Sequence, residues 1–311
     1  MLIGVKDVEK NEMIWSAYLN NYNELGQIKT INLKNSLSLQ YEYDQTTNMP
    51  TMIKMGNVFD MRYEYYPETG NMWKRKDNTR SFEEIFEYDD LQRLTDITFN
   101  SQTSSIDYDN LGNITEKYDI GEYRYDETKV HAISELFPYS GDNTMWPNQQ
   151  DIDYNADGKA TKIKEGTEEE GYYELNVTYG YDKQRRKSVL TDKENEEVYT
   201  RYYLGKYEVE ETTSGTKQIC YIPGPSGNIA VYVTENSTSE LYYTLTDHLG
   251  SIAAIVDEQG NIEEEQSFDA WGRNKNVTNW SYDNISATSL LFRGYTGHEM
   301  LPEFGLMNMN G

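Results

Sequence analysis

A tyrosine followed by an aspartate closes one short segment after another along this chain, at Tyr43-Asp44, Tyr88-Asp89, Tyr108-Asp109, Tyr125-Asp126 and Tyr181-Asp182. Tyr65-Tyr66 and Tyr154-Asn155 are degenerate copies, and the steps between copies run from 17 residues (Tyr108 to Tyr125) to 29 (Tyr125 to Tyr154). An internal repeat constrains a fold tightly, because each unit buries its apolar face only by stacking on its neighbours. The residues ahead of each pair alternate with period two. Leu37, Leu39, Tyr41 and Tyr43 share one face against Ser38, Gln40 and Glu42; Met61, Tyr63 and Tyr65 oppose Arg62 and Glu64; Val177, Tyr179 and Tyr181 repeat the pattern. That is a β-strand with one buried face. No stretch of similar length holds a 3.6-residue period, so helix is expected to be minor.

A turn of fixed chemistry follows. Asp109 to Gly112, Asp247 to Gly250, Asp257 to Gly260 and Asp269 to Gly272 all read Asp-x-x-Gly, with variants at Asn23 to Gly26, Pro67 to Gly70 and Asn155 to Gly158. Asp or Asn in first place bonds the main chain two residues on, and glycine in fourth supplies the positive φ of a turn with a bulge. A second strand such as Asn113 to Tyr118 completes a hairpin. The expected fold is all-β: an array of antiparallel hairpins joined into a curved, spiralling sheet.

Mean hydropathy is −0.84, and 28 Lys+Arg against 53 Asp+Glu leave a net charge of −25. Both values border on the disorder regime. The 28 tyrosines argue the other way, since a packed tyrosine ring buries a large area while its hydroxyl finds a partner. So acidic a chain repels phosphates, and nucleic acid is not an expected partner. The longest apolar run, Ile252 to Val256, is far too short for a membrane span. The first residues, Met1 to Glu9, carry neither the basic nor the apolar region of a secretion signal.

Candidate chemistry is sparse. His131, His248 and His298 lie far apart in sequence with no zinc-ligand spacing, and structural roles are expected for them. Cys220, the single cysteine, sits in the strand-like Gln218 to Ile222 and is expected to be a small buried hydrophobe. Gly224-Pro-Ser-Gly227 is one residue short of a nucleophile elbow. Asp153 to Gly158 fits the first half of a calcium loop, but Lys164 stands where a bidentate glutamate belongs, so hairpin chemistry is the expected reading. Carboxylates are too abundant for any pair to be informative. The runs Glu168 to Glu170 and Glu263 to Glu265 are expected at solvated edges, where charge blocks edge pairing. No catalytic, cofactor-binding or metal residue is assigned.

The Tyr-Asp and Asp-x-x-Gly hairpin array resembles the YD or RHS repeat of bacterial RHS polymorphic toxins, wall-associated proteins, insecticidal toxin-complex C subunits and the teneurin shell. Val130 to Ser134 is similar to an insert common between such repeats. Asp247 to Ser251, Val256 to Gly260, Phe268 to Gly272 and Tyr295 to Glu299 resemble the start of the RHS repeat-associated core domain. The resemblance implies a repeat array over residues 1–240 and the first part of the core over 241–311. It implies a non-catalytic wall of a partial β-shell that encapsulates a C-terminal toxin domain, partnered by the remaining repeats of a longer secreted or cell-surface protein. The family's self-cleavage segment with its paired aspartates falls after Gly311, so a fragment or truncated product is the expectation. The alternative is a surface adhesion or glycan-binding module, with Trp15, Trp73, Trp146, Trp271 and Trp280 as stacking candidates.

Overall fold

The computed structural model describes residues 3–139, 150–167, 171–285 and 290–309. Strands make up 57% of the described residues and helix 4%, the helix being short 3-10 turns. Among the described residues, thirteen strands from Gly4–Asp7 to Ile133–Pro138 follow one another in chain order in one antiparallel sheet, and eleven from Gln150–Tyr154 to Ile262–Glu265 in another. Two small hairpins follow, Ser267–Phe268 with Asn274–Lys275 and Glu299–Leu301 with Leu306–Asn308. The chain divides into two compact units, one of residues 40–146, the other of 1–39 with 147–311. No helix of the described residues is long and apolar enough to cross a membrane.

The alternation in the sequence becomes burial. In strand Ser38–Tyr43, Leu39 and Tyr41 are buried while Gln40 and Glu42 are exposed. In Phe59–Tyr65, Met61 and Tyr63 are buried and Glu64 is exposed. At five hairpins of the first sheet the register slips by one residue, and the slip falls at the repeat tyrosine: between Glu42 and Tyr43, Glu64 and Tyr65, Glu87 and Tyr88, Asp107 and Tyr108, Arg124 and Tyr125. Such bulges bend a strand and sharpen its twist.

The turn beyond the bulge is built as its residues dictate. Asp109 Oδ1 accepts the main-chain N–H of Leu111 at 2.8 Å and of Asn113 at 2.9 Å. Asp247 does the same with Leu249 and Ser251, Asp257 with Gln259 and Asn261, and Asn155 with Asp157 and Lys159. Gly112 takes φ +88°, a conformation an L side chain rarely adopts.

Each bulge leaves a carbonyl beyond the reach of the next ladder, and buried or half-buried carbonyls need partners. The tyrosine of the following hairpin supplies one. Tyr65 donates its hydroxyl to Pro50 O at 2.9 Å, Tyr88 to Met72 O at 2.7 Å, Tyr108 to Leu94 O at 2.8 Å and Tyr125 to Ile114 O at 2.9 Å. Pro50, Met72, Leu94 and Ile114 are the residues paired with the bulge tyrosines Tyr43, Tyr65, Tyr88 and Tyr108. One tyrosine therefore has two jobs: it closes its own hairpin and hooks the one before.

The repeat at Tyr181-Asp182 is corrected by two residues. Strand Gly171–Tyr179 ends before it, and Tyr179 is the hook, donating to Ala160 O at 2.8 Å. Gly180 stands at the aspartate position, its N–H bonded to Gln184 O. Tyr181 is fully solvent-exposed, at 101%.

Candidate functional site

The eleven-stranded sheet carries a polar seam on which the C-terminal segment, residues 290–304, lies as a strap. Leu290 N–H bonds Glu264 Oε2 at 2.9 Å, Gly294 O accepts Ile252 N–H at 3.0 Å, and Thr296 N–H bonds Ser251 Oγ at 3.1 Å. Further along, Gln150 Nε2 donates to Phe304 O at 2.7 Å. These partners span the sheet from its last strand, Ile262–Glu265, to its first, Gln150–Tyr154. The strap also completes the core. Leu291 joins Ile219, Tyr221, Val231 and Ile255, and Leu301 and Phe304 join Ile163 and Leu175.

Two buried charge clusters pin the strap. Glu299, whose side chain is 2% exposed, takes the guanidinium groups of Arg185 and Arg201 and the hydroxyl of Tyr203, the last at 2.6 Å. Burial alone raises a carboxyl's pKa, yet the charges of Arg201 and Arg185 reverse that and hold Glu299 below its usual range. Burial and the Glu299 carboxylate push the Tyr203 hydroxyl up. Arg201 also bonds Glu210 at 2.5 Å and stacks on Phe292, its guanidinium carbon 3.5 Å from the ring centroid. The second cluster is centred on Glu208, bonded by Arg293 and by Tyr221 at 3.0 Å. Buried ion pairs contribute little net stability but are costly to break. They fix where the strap sits.

The first segment of the same unit is held by the same means. Trp15 is fully buried and donates Nε1–H to Pro223 O at 2.9 Å. Tyr243 donates to Ile14 O at 3.0 Å, Tyr232 to Asp7 at 2.6 Å, and Lys34 pairs with Glu258 at 2.8 Å. Tyr203 and Tyr243 turn their hydroxyls to docked segments, and Tyr221 to Glu208 of the neighbouring strand, rather than to a preceding bulge. None of these roles is readable from sequence periodicity, because the partners lie far apart along the chain.

The residues singled out by sequence are dispersed. His131 Nδ1 lies 2.7 Å from Asn113 Oδ1, in an insert whose Val130 O accepts the Asn113 amide. His298 Nδ1 lies 2.7 Å from Thr296 Oγ1, and His248 sits inside the Asp247 to Gly250 turn. Cys220 is exposed, against expectation, because Ile219 and Tyr221 occupy the buried face around it. Pro225 and Ser226 form the two-residue turn between Gly224 and Gly227. In the calcium-like stretch Asp153 pairs in register with Lys162, and Asp157 is ion-paired to Lys183 at 2.6 Å. Among the described residues no group of three or more His, Cys, Asp or Glu is placed to hold a metal. Glu263 to Glu265 do lie in the last strand of their sheet; Glu168 to Glu170 lie outside the described residues. Of the tryptophans, Trp15 and Trp280 are buried, Trp73 is half-buried, Trp271 is 42% exposed and Trp146 lies outside the described residues.

A family model described as Teneurin YD-shell matches residues 5–292. Among solved structures, the crystal structure of TcdB2-TccC3-Cdc42 aligns at a TM-score of 0.74 with 16% identity, over 96% of this chain and 18% of that one. The crystal structure of TcdB2-TccC3 without hypervariable C-terminal region aligns at 0.74 with 18% identity, over 96% and 17%. A Photorhabdus luminescens Tc holotoxin pore with a substituted TccC3 aligns at 0.71 with 17% identity, over 96% and 17%. At these identities the likeness is one of fold. The chain spans less than a fifth of the length of these structures. No curated protein matches it in sequence.

Proposed function

The chain belongs to the teneurin YD-shell family, and from that premise we propose that it is a non-catalytic section of a shell wall that encloses a C-terminal toxin domain for delivery. The observation that carries this reading is the hooked array itself: hairpin after hairpin of the repeats is tied to the one before it through a bulge carbonyl, by Tyr65, Tyr88, Tyr108, Tyr125 and Tyr179. A wall of this kind grows by whole hairpins and curves at each bulge. In the same reading residues 1–240 are the repeat array and 241–311 the beginning of an RHS-associated core. The partners are the further repeats and the enclosed domain, and the longer protein works outside its cell of origin or at that cell's surface. The acidic surface keeps a broad sheet from associating with its own kind.

The test is enclosure. A chain extended by further repeats and core, with a protease-sensitive reporter domain at its C-terminus, is expected to protect the reporter from added trypsin. The reporter becomes digestible once the wall is unfolded. Free digestion by a folded, monodisperse particle would remove the shell role. Binding to a glycan array that is lost on Trp271→Ala or Trp73→Ala would put an adhesion module in its place.

A further inference from the structure

Where the strap crosses the strands Gly171–Tyr179 to Tyr207–Thr212, a cleft of about 320 Å³ lies between strap, sheet and the small hairpin that carries Asn274. Leu175 and Leu190 of the sheet and Phe292 and Met300 of the strap give it an apolar wall. Arg201 and Asn274 are also in its lining. Each keeps one buried polar atom, Nε and Oδ1, without a hydrogen-bond partner among the described residues. We infer that this cleft binds a small uncharged molecule with an apolar body and an amide head.

The head group follows from the two orphaned atoms. Arg201 spends its terminal nitrogens on Glu299 and Glu210 and lays its guanidinium on the Phe292 ring, so Nε–H is the donor left over. Asn274 Oδ1 is an acceptor. Buried polar atoms are costly to leave unpaired. The two stand on different elements, Arg201 on strand Glu197–Tyr203 and Asn274 on the hairpin of Ser267–Phe268 with Asn274–Lys275. An amide carries its acceptor and its donor on different atoms, which suits one ligand to groups from two elements.

Size and charge set the rest of the class. Small-molecule sites begin at about 300 Å³ and combine apolar walls with a few polar groups, so this cleft suits a ligand of one ring or a short alkyl chain. A charged ligand of either sign meets its own sign here. An anion faces Glu210, Glu299 and Glu303, and a cation faces Arg201. Burial pushes the Glu303 carboxyl above its ordinary range, the mark of a place that solvates ions poorly. Water satisfies either orphaned atom but leaves the apolar wall wet, whereas an apolar body covers it.

The inference does not rest on the shell reading, and its test does not touch enclosure. The purified chain is titrated with para-fluorobenzamide and followed by ligand-observed fluorine NMR, with para-fluorobenzoate, para-fluorobenzylamine and fluorobenzene as comparison probes. A fragment of this size is expected to bind at about 1 mM or tighter, and about tenfold tighter than each of the three others. Asn274→Leu removes the acceptor and keeps the bulk. It is expected to cost the benzamide about tenfold in affinity and to leave fluorobenzene binding where it was. Its melting temperature should be no lower than the native one, since an unpaired buried oxygen is gone. Leu190→Trp fills the cleft and should abolish binding of both. Absence of saturable benzamide binding, or benzamide binding indifferent to Asn274→Leu, would overturn the inference. So would benzoate, benzylamine or fluorobenzene binding as tightly as the benzamide, because the cleft would then select no amide.

Discussion

Asp269 is a buried aspartate whose Oδ1 accepts two main-chain N–H groups, from Trp271 at 2.8 Å and Arg273 at 2.9 Å, while Oδ2 takes the Tyr282 hydroxyl at 3.1 Å. Asp269→Ala strands those donors and is expected to cost about 1–3 kcal/mol in denaturant unfolding; Asp269→Asn, which keeps one acceptor oxygen, should cost clearly less. The turn aspartates also make the fold acid-sensitive. The Thr128 hydroxyl and the N–H groups of Lys129 and Thr128 lower the pKa of Asp126 to about 2. A carboxyl depressed in this way stabilises the fold above its unfolded pKa, about 3.9. That contribution is lost as pH falls through the folded value. Asp44 and Asp89 are shifted in the same direction by their main-chain donors. Circular dichroism followed from pH 5 downward is expected to show unfolding beginning below about pH 4, shifted upward in Asp126→Ala. Residue identity alone made these turns legible, because an Asp and a Gly three residues apart dictate their own geometry. Cys220 was not legible: alternation locates a face, but the buried face is decided by the larger neighbours, Ile219 and Tyr221.

The tyrosine hook belongs to the hairpin, and its contribution is separable from the ring's. Tyr88→Phe keeps the packing and deletes only the bond to Met72 O, for an expected loss of about 0.5–1.5 kcal/mol. A sharper comparison lies at the irregular repeat. Tyr179→Phe should cost a similar amount, whereas Tyr181→Phe, at a fully exposed position, should leave the unfolding midpoint where it was. Period-two alternation was enough to find the strands and the chain-order sheet. It could not choose between Tyr179 and Tyr181, which share a face in the pattern. The choice is made by the turn: Gly180 closes onto Gln184, so the strand stops two residues before the Tyr-Asp pair. The hook was invisible for a related reason. A hydroxyl bonded to a carbonyl 11 to 19 residues back leaves no periodic trace.

For the whole molecule, the strap matters most. Glu299→Ala leaves Arg185 buried without its counter-charge and Arg201 with Glu210 alone, and is expected to destabilise its unit by about 3–5 kcal/mol, with limited proteolysis cutting first within residues 290–304. Glu299→Gln restores the shape without the charge, and should fall between Ala and the native residue. Acid should act like these substitutions. The Glu299 pKa is depressed by Arg201 and Arg185 against the opposing effect of burial, so its contribution is present above the unfolded glutamate range, near about 4.3, and fades as pH falls through the folded value. Glu303 has the opposite sign: burial raises its pKa, so its contribution is present in acid and is lost as pH rises. Neither cluster was legible in the sequence. Arg185 and Glu299 are 114 positions apart, and only the folded sheet makes them neighbours.

The hook points one way. Tyr65, Tyr88, Tyr108 and Tyr125 each reach back to a carbonyl that an earlier hairpin has already set, never forward to one still to be made. On a ribosome, a hooked hairpin therefore meets a finished receiver as it emerges, and that part of the sheet can lengthen without waiting for distant chain. Strand partners close in sequence make such growth fast as well as directional. The same asymmetry sets what evolution can do with the gene. Duplicating or deleting one whole unit reconnects a hook to a receiver, while an error of half a unit leaves one of each without its mate.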